Sequence, residues 1–263
     1  MIINSFDPSS PEIVNAKDTI PQKDKELART FSIDTFILTF SGKLIDALLK
    51  ESLIEPLDKD LTIGSAAYKS PVFHIPNASV GVVLSGIGAP MIAAILEELA
   101  TLFHARNYIV FGSCGALTAL PEGHIIVPTH AYRDEGTSYH YTAAGDYIEV
   151  RNAARLSRIM DKLGVDYVEG RTWTTDAFYR ETERNREKRV AEGCLCVEME
   201  CSAAQAVCDY RGLELYQFVY AADSLNGEWA RRILGDLEMD ARMRYFFLAL
   251  EIAKHILEEK TNS

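Results

Sequence analysis

The segment from Val80 to Phe111 constrains the fold of this chain more than any other. Its first apolar run, Val80 to Leu84, predicts a buried strand, and the glycines and the proline that follow predict a tight turn into a helix. Apolar residues then recur at helical spacing from Met91 to Leu99, and a second apolar run ends at Phe111. A strand, a helix and a second strand joined this closely form a parallel pair with a right-handed crossover. The sequence therefore predicts an α/β fold.

The same alternation of strands and helices extends over most of the chain. Further strands are predicted from Thr35 and at 125–127, 167–173, 195–199 and 215–221, with helices between and after them. Residues 1–30 are polar and contain three prolines, so they are predicted to form a loop-like N-terminal extension. We expect residues 31–263 to form one α/β domain, in which helices flank a twisted, mainly parallel or mixed central sheet.

The composition excludes several classes of partner. The 263 residues carry a net charge of −11, which argues against broad binding to a nucleic-acid backbone. No apolar run is long enough to span a membrane, and the N-terminus lacks the features of a signal peptide. Four of the five cysteines lie between Cys194 and Cys208 without the paired spacing of a zinc site. We therefore expect buried, reduced thiols and a cytoplasmic protein.

Two short motifs combine a buried-strand pattern with polar chemistry. Val197-Glu198-Met199-Glu200 places two carboxylates beside a thioether, and Gly112 to Ala116 follows an apolar strand with Gly-Ser-Cys-Gly-Ala. A buried carboxylate must be paired or hydrogen-bonded. The adjacent hydroxyls of a sugar supply two donors, and a methionine supplies an adaptable apolar floor. The alternative is that the acidic residues begin a helix, where negative charge is favourable.

These motifs belong to an ordered set. Ser85 to Pro90, Phe111 to Leu117, Thr175 to Tyr179, Val197 to Glu200 and Ala221 to Asp223 follow one another along the chain. In this set, which extends over most of the sequence, the chain resembles the nucleoside phosphorylase superfamily, the group of purine nucleoside phosphorylases, uridine phosphorylases and nucleosidases. The resemblance implies a twisted central sheet that partly closes into a barrel.

The resemblance implies that Asp223 is the catalytic acid, which protonates the base in purine-specific members. An acid at the end of a buried apolar strand is suited to hold its proton near neutrality. Because pyrimidine-type members generally lack this aspartate, a purine nucleoside is favoured over uridine. From the residues alone, a cap for the turn that follows Asp223 is the simpler interpretation.

The resemblance also implies ligands for the sugar and for the base. Glu200 matches the ribose ligand, Met199 lies beneath the sugar, and Glu198 takes the outer position of the same motif. Phe178 and Tyr179 match an aromatic pair near the base, where a ring stacks on a flat heterocycle. Ordinary core packing is the alternative for both aromatic residues.

Three further residues complete the predicted base site: Cys114, Gly115 and Arg184. Cys114 is expected to be a small wall residue rather than a nucleophile, because no histidine lies near it in the motif. Arg184 lies about where uridine-type members place an arginine that reads the base carbonyl, but Thr182 replaces the accompanying glutamine. The alternating charges around Arg184 are also typical of a solvated helix face.

The predicted phosphate ligands are Ser113, Lys43 and Arg133. Ser113 lies in the Gly-Ser-Cys-Gly motif, and Lys43 lies in the loop after the first strand, near the family's anion loop. Arg133 begins a polar loop that could fold over the pocket.

The sequence departs from the family's pattern at this phosphate site. The glycine and the arginine of the anion loop fall near Phe40 and Leu44, and Val110 replaces the arginine before Gly-Ser-Cys-Gly. The arginine donated by a neighbouring subunit falls near Ala66. Phosphate needs charge-assisted donors. These replacements therefore leave open whether phosphate or water attacks the sugar.

The leading hypothesis is phosphorolysis of a nucleoside to a free base and ribose 1-phosphate or its deoxy analogue. The protein would then be a glycosyltransferase of the pentosyltransferase type, with inorganic phosphate as co-substrate and no metal or organic cofactor. Hydrolysis by water and a catalytically weak nucleoside-binding protein are the alternatives. Because active sites of this family lie at a subunit interface, a homo-oligomer, dimer or hexamer, is expected.

Overall fold

The computed structural model describes residues 5–64, 69–226 and 239–261. Its α-helices are α1 (Ala16–Thr19), α2 (Gln22–Arg29), α3 (Gly42–Lys50), α4 (Ala89–Phe103), α5 (Ala153–Leu163), α6 (Glu183–Ala191), α7 (Cys201–Arg211) and α8 (Met239–Thr261). Its strands are β1 (Thr35–Thr39), β2 (Glu55–Pro56), β3 (Thr62–Ile63), β4 (Ser70–His74), β5 (Val80–Leu84), β6 (Asn107–Ala116), β7 (Ile125–Asp134), β8 (Tyr147–Glu149), β9 (Tyr167–Thr175), β10 (Cys194–Glu198) and β11 (Glu214–Ser224). Short 3-10 helices cover Ser138–His140 and Phe178–Arg180.

The strand–helix–strand unit predicted from Val80 to Phe111 is present, but its two strands do not form a neighbouring pair. β5 leads into α4, and β1 pairs in parallel with β5 on one side and with β6 on the other. β6 is longer than the sequence predicts, because it continues to Ala116. The Gly112 to Ala116 motif is therefore part of a strand and not a turn after it.

The sheet is mixed and closes on itself at one end. Its strand order is β10-β9-β7-β11-β6-β1-β5-β4-β2, and β10 also pairs with β6. β7 and β11 are antiparallel, as are β6 and β10, whereas β6 and β11 are parallel. The second pairing of β10 closes a ring of five strands, β6, β11, β7, β9 and β10. The partly barrel-like sheet that the resemblance implies is confirmed.

Helices cover both faces of this sheet. One apolar cluster joins the sheet to α3, α5 and α8, and a second joins it to α2, α4 and α7. Between the neighbouring strands β6 and β11, the rings of Phe111 and Phe218 stack with centroids 5.4 Å apart. Burial of these apolar side chains is the main stabilising term. This packing fixes the positions of β6 and β11, the two strands whose ends carry the motifs.

The N-terminal segment is more ordered than its composition suggests. The prediction of a loop-like extension over residues 1–30 was wrong for residues 16–19 and 22–29, which form α1 and α2. Asn15 and Asp18 form a capping box at the start of α1. Pro21 sits just before α2, where a missing N–H costs nothing, so it starts a helix instead of breaking one.

All five cysteines are buried, as predicted, and all carry free thiols. Among the helices that the structure describes, none combines the length and the apolar character that crossing a membrane requires.

Candidate active site

A cavity of about 670 Å³ opens where β6, β10 and β11 end. In α/β sheets, ligands bind outside the carboxyl ends of the strands. The lining includes nine of the residues predicted for substrate: Ser113, Cys114, Gly115, Phe178, Tyr179, Glu198, Met199, Glu200 and Asp223. It also includes Phe40, Ile87, Glu181, Val197, Ala222 and Leu225.

Asp223 reaches the cavity through an irregularity in β11. Ala221 pairs with Cys114 of β6, but the next paired residue is Asp223, opposite Gly115. Ala222 is therefore the extra residue of a β-bulge, a feature that re-aims the side chains beside it. The Asp223 carboxyl is half-buried in the cavity wall.

Glu200 is buried and tied to a distant part of the chain. It lies just before α7, and its Oε1 accepts a hydrogen bond of 2.6 Å from the backbone N–H of Gly88. Gly88 adopts a φ of 101°, which favours glycine, so the turn into α4 points this N–H at the carboxylate. Burial, together with the neighbouring Glu198 carboxyl, raises the pKa of Glu200 to about 8.

Glu198 is occupied by protein donors. Its Oε1 accepts from the hydroxyls of Thr174, at 2.6 Å, and Thr172, at 3.3 Å. Its Oε2 accepts from the backbone N–H groups of Glu200 and Cys201, each at 2.7 Å. Although Glu198 lines the cavity, these four bonds hold it at the start of α7. The helix-start interpretation therefore describes its contacts better than that of a sugar ligand.

Glu181 is an acidic group that the sequence analysis missed. It follows the 3-10 helix at Phe178–Arg180, lines the cavity and is half-buried. Burial and then the charge of Asp223 raise the pKa of Glu181 to about 7. Among the described residues, no group donates a hydrogen bond to its carboxyl. In the sequence, the only sign of this role is that Glu181 closely follows Asp176-Ala177-Phe178-Tyr179. The charged residues around it make it look like part of a solvent-exposed segment.

The rim of the cavity is apolar and exposed. Ile87, Phe178 and Tyr179 are 65%, 50% and 88% exposed. The rings of Phe178 and Tyr179 lie with centroids 4.0 Å apart. Core packing, the alternative considered for these two aromatic residues, is excluded by their exposure. Large apolar side chains at a cavity mouth mark a surface that binds a ligand or another protein.

The region of the predicted phosphate site contains an aromatic ring. Phe40 lines the cavity and lies so close to Gly112 that a Cβ at position 112 would be 2.8 Å from its Cδ2. Leu44 and Val110 are buried in the core, and Phe40 packs against the same apolar cluster as Val110. Ala66 lies outside the described residues. Among the described lining residues, four carry carboxylates and none carries a basic side chain.

The structure does not bring the predicted cations into this lining. Lys43 is exposed on α3, and Arg184 is exposed on α6. Arg133 is only 4% exposed, and its guanidinium donates to the Ser138 hydroxyl at 2.8 Å and to the Ala143 carbonyl at 2.7 Å. The same group lies 4.0 Å from the centre of the Tyr139 ring. Arg133 therefore holds its own loop together.

Two smaller features complete the site. Arg242 of α8 donates to the Ser41 hydroxyl, which in turn caps α3 beside Phe40. Burial, followed by a hydrogen bond to Cys196, raises the pKa of the Cys114 thiol well above its ordinary value. A protonated, buried thiol is a poor nucleophile, in agreement with the expected role of Cys114 as a wall residue.

Comparisons with known proteins agree with this architecture. Residues 36–244 match the model of the phosphorylase superfamily. A purine nucleoside phosphorylase of the DeoD type from Aliivibrio fischeri is 30% identical over 62% of this chain and 67% of its own length. A uridine phosphorylase from Thermococcus kodakarensis is 36% identical over 43% of this chain and 41% of its own length. The chain thus spans two thirds of the first relative and less than half of the second.

Two solved structures share the fold at low sequence identity. The purine nucleoside phosphorylase from Toxoplasma gondii in complex with immucillin-H superposes with a TM-score of 0.69 at 18% identity, over 86% of this chain and 94% of that one. The AMP nucleosidase from Bacteroides thetaiotaomicron superposes with a TM-score of 0.67 at 16% identity, over 90% of this chain and 99% of that one.

Proposed function

The chain belongs to the phosphorylase superfamily, and we propose that it is an enzyme that cleaves the N-glycosidic bond of nucleosides, with purine nucleosides as favoured substrates. The observation that carries the proposal is the grouping of Glu200, Met199, Asp223 and the Phe178–Tyr179 pair around one cavity of about 670 Å³. Cavities of this size suit small ligands such as a nucleoside.

Glu200 and Met199 form the sugar end. The bond from Gly88 fixes the Glu200 carboxyl and leaves lone pairs for the two adjacent hydroxyls of a ribose. With a pKa of about 8, Glu200 keeps its proton at neutral pH and loses it above about pH 8. In the ionised form its oxygens accept the hydrogen bonds of both hydroxyls. The Met199 thioether supplies apolar contact beneath the ring.

Asp223 and Glu181 form the base end, with the exposed aromatic pair beside them. When the bond between C1′ and the base nitrogen breaks, its electron pair goes to the base, and Asp223 gives the base a proton. The carboxyl of Glu181 is protonated below about pH 7, and the charge of Asp223 contributes to the raised pKa of Glu181. We assign Glu181 to the acidic end of the cavity, beside Asp223.

For the acceptor we propose water. A phosphate dianion needs charge-assisted donors, and the described lining offers four carboxylates beside the Phe40 ring. Carboxylates repel phosphate but accept a hydrogen bond from water. The water oxygen then bonds to C1′, and its released proton returns to the acid through solvent.

Phosphate is the second candidate, because the relatives named above are phosphorylases. In that version Ser113 would be the phosphate ligand within the lining, and the cations Lys43 and Arg242, which lie outside the described lining, would have to move towards it. The remaining candidate is a catalytically weak nucleoside-binding protein. It would make the same contacts to the sugar and the base but would not cleave the nucleoside.

The test is a panel of inosine, guanosine, adenosine and uridine, each with and without phosphate, with the sugar product identified. Free ribose and equal rates without phosphate support hydrolysis. Release only with phosphate, as ribose 1-phosphate, contradicts water as the acceptor and supports the second candidate. Saturable binding without release contradicts the enzyme.

The acid is tested in the same assay. We expect Asp223→Asn to lower turnover at least about a hundredfold, because it keeps the shape and removes the proton. Asp166→Asn, an exposed position, is the matched control. Full activity of the Asp223 variant on every substrate rejects this assignment.

A further inference from the structure

A second cavity, of about 840 Å³, lies between the N-terminal helices and the ends of α4 and α7. Its lining includes the cations Lys17, Lys25, Arg29 and Arg106. We call this cavity with its four cations the basic groove. It stands out because the whole chain carries a net charge of −11.

The four cations of the basic groove lack acidic partners. In the part of the chain that the structure describes, none of them forms an ion pair with a carboxylate. Glu97, the carboxylate of the lining, is bound 2.8 Å from Arg211, which also pairs with Glu12 at 2.7 Å. Several other basic side chains of this acidic protein do pair with carboxylates: Arg151 with Asp209, Arg155 with Glu259, Arg189 with Glu192 and Lys254 with Glu251.

The basic groove is separate from the candidate active site. Arg106 directly precedes β6, whereas Ser113 and Gly115 lie near the other end of the same strand. At about 3.3 Å per residue, the two sites are roughly 25 Å apart along β6. The basic groove is therefore not an extension of the nucleoside cavity.

We propose that the basic groove binds a compact oligophosphate, either free or as the phosphate chain of a nucleotide. Lysine and arginine are the side chains that hold phosphate oxygens, and four unpaired cations match the charge of a di- or triphosphate. The acidic remainder of the surface repels an extended polyanion such as nucleic acid, so the ligand is small. A volume of about 840 Å³ admits a triphosphate with or without a nucleoside attached.

Calorimetric titration of the full chain with inorganic tripolyphosphate tests the proposal. We expect saturable binding at about 0.05 M salt and clearly weaker binding at about 0.5 M, because salt screens exposed charges. The double variant Arg29→Ala with Arg106→Ala is expected to bind at least about tenfold more weakly. Arg158→Ala, an exposed arginine on α5, should bind as the unaltered protein does.

A parallel titration with ATP identifies the form of the ligand. Equal affinity for tripolyphosphate and ATP indicates that the phosphate chain alone is recognised. Affinity at least about tenfold higher for ATP, lost in the double variant, indicates a nucleotide. Both results support an oligophosphate site.

Three results would overturn the proposal: absence of saturable binding at low salt, equal binding by the double variant, or a double variant whose oligomeric mass changes while its binding does not. The last result would assign these cations to an interface between copies of the chain. The proposal is independent of the nucleoside chemistry, and Asp223→Asn should therefore bind tripolyphosphate unchanged.

Discussion

Glu200 Oε1 lies 2.6 Å from the backbone nitrogen of Gly88, so the start of α7 is joined to the turn before α4 across 112 positions of the chain. The bond orients the Glu200 carboxyl in the cavity wall. In the proposed function, a sugar hydroxyl would meet a group that is already fixed, which reduces the entropy lost on binding.

Replacement of Glu200 by glutamine is expected to weaken the sugar contact. Hydrogen bonds to a charged group are worth about 1.5–3 kcal/mol, so above about pH 8, where Glu200 is ionised, KM for ribosides should rise about tenfold to a hundredfold. Steady-state kinetics on a riboside and on its 2′-deoxy analogue measure the effect, with the larger loss on the riboside. Glu122→Gln, an exposed change, serves as control. Equal losses on both substrates would indicate a structural role.

The stability of the protein should depend on the ionisation of Glu200. Its pKa is about 8 when folded against a model value of 4.5, so between these pH values the folded state binds more protons than the unfolded state. The free energy of unfolding is therefore expected to fall as pH rises from about 4.5 through about 8. Denaturant unfolding at several pH values measures this slope, and Glu200→Gln should flatten it. An identical slope in the variant would refute the assignment.

Glu181 should control the alkaline side of the pH profile. Because its pKa is about 7, Glu181 loses its proton above that pH and then adds a negative charge beside Asp223. We expect kcat/KM to decline as pH rises through about 7, and Glu181→Gln to remove this decline. Glu183→Gln, at an exposed neighbouring position, should keep it. A decline that survives in Glu181→Gln would exclude Glu181 as its source.

The contact between Phe40 and Gly112 can be tested by adding one methyl group. A Cβ at position 112 would lie 2.8 Å from Phe40 Cδ2, so Gly112→Ala should lower the free energy of unfolding by about 1–3 kcal/mol. Adding Phe40→Leu should restore part of the loss. Gly136→Ala, where nothing lies within 4 Å, should be close to neutral. Denaturant unfolding gives these values, and a Gly112 variant of unchanged stability would contradict the contact.

The exposed rim predicts that the chain assembles with copies of itself. Ile87 is 65% exposed beside two exposed aromatic rings, and such a patch favours an interface. We expect light scattering at about 10 µM to show at least a dimer, and Ile87→Asp to shift it towards a monomer because a buried charge is costly. Ile13→Asp, at a fully exposed position, is the control. A monomeric unaltered protein would contradict the prediction.

Short sequence motifs predicted much of the cavity because each ends a strand at the same edge of the sheet. Met199 and Asp223 lie far apart in the chain and line one cavity for this reason. Motifs do not reveal which atoms satisfy a buried group. The hydroxyls of Thr172 and Thr174 reach Glu198 only when β9 pairs with β10, and the carbonyl partners of Arg133 reach it only when its own loop folds back.

Other features of the candidate site depend on the local geometry or burial of a single residue, which the sequence pattern does not reveal. The bulge at Ala222, which re-aims Asp223, leaves no mark in an apolar run. Glu181 sits in a run of charges that resembles a solvated helix, although burial gives it a different chemistry. In both cases tertiary packing, and not local propensity, decides the outcome.

The pairing of β10 with β6, which closes the ring, also affects whether the sheet can associate with strands of other molecules. A strand with an unpaired edge is a template for association with another chain, and the closed side removes that hazard. The strand path ends at the far side in β2, which has only two residues, Glu55 and Pro56, both exposed. A charge and a residue without an N–H donor make this edge a poor template for further strands. Resistance to edge-to-edge aggregation on this side of the molecule therefore rests on a strand of only two residues.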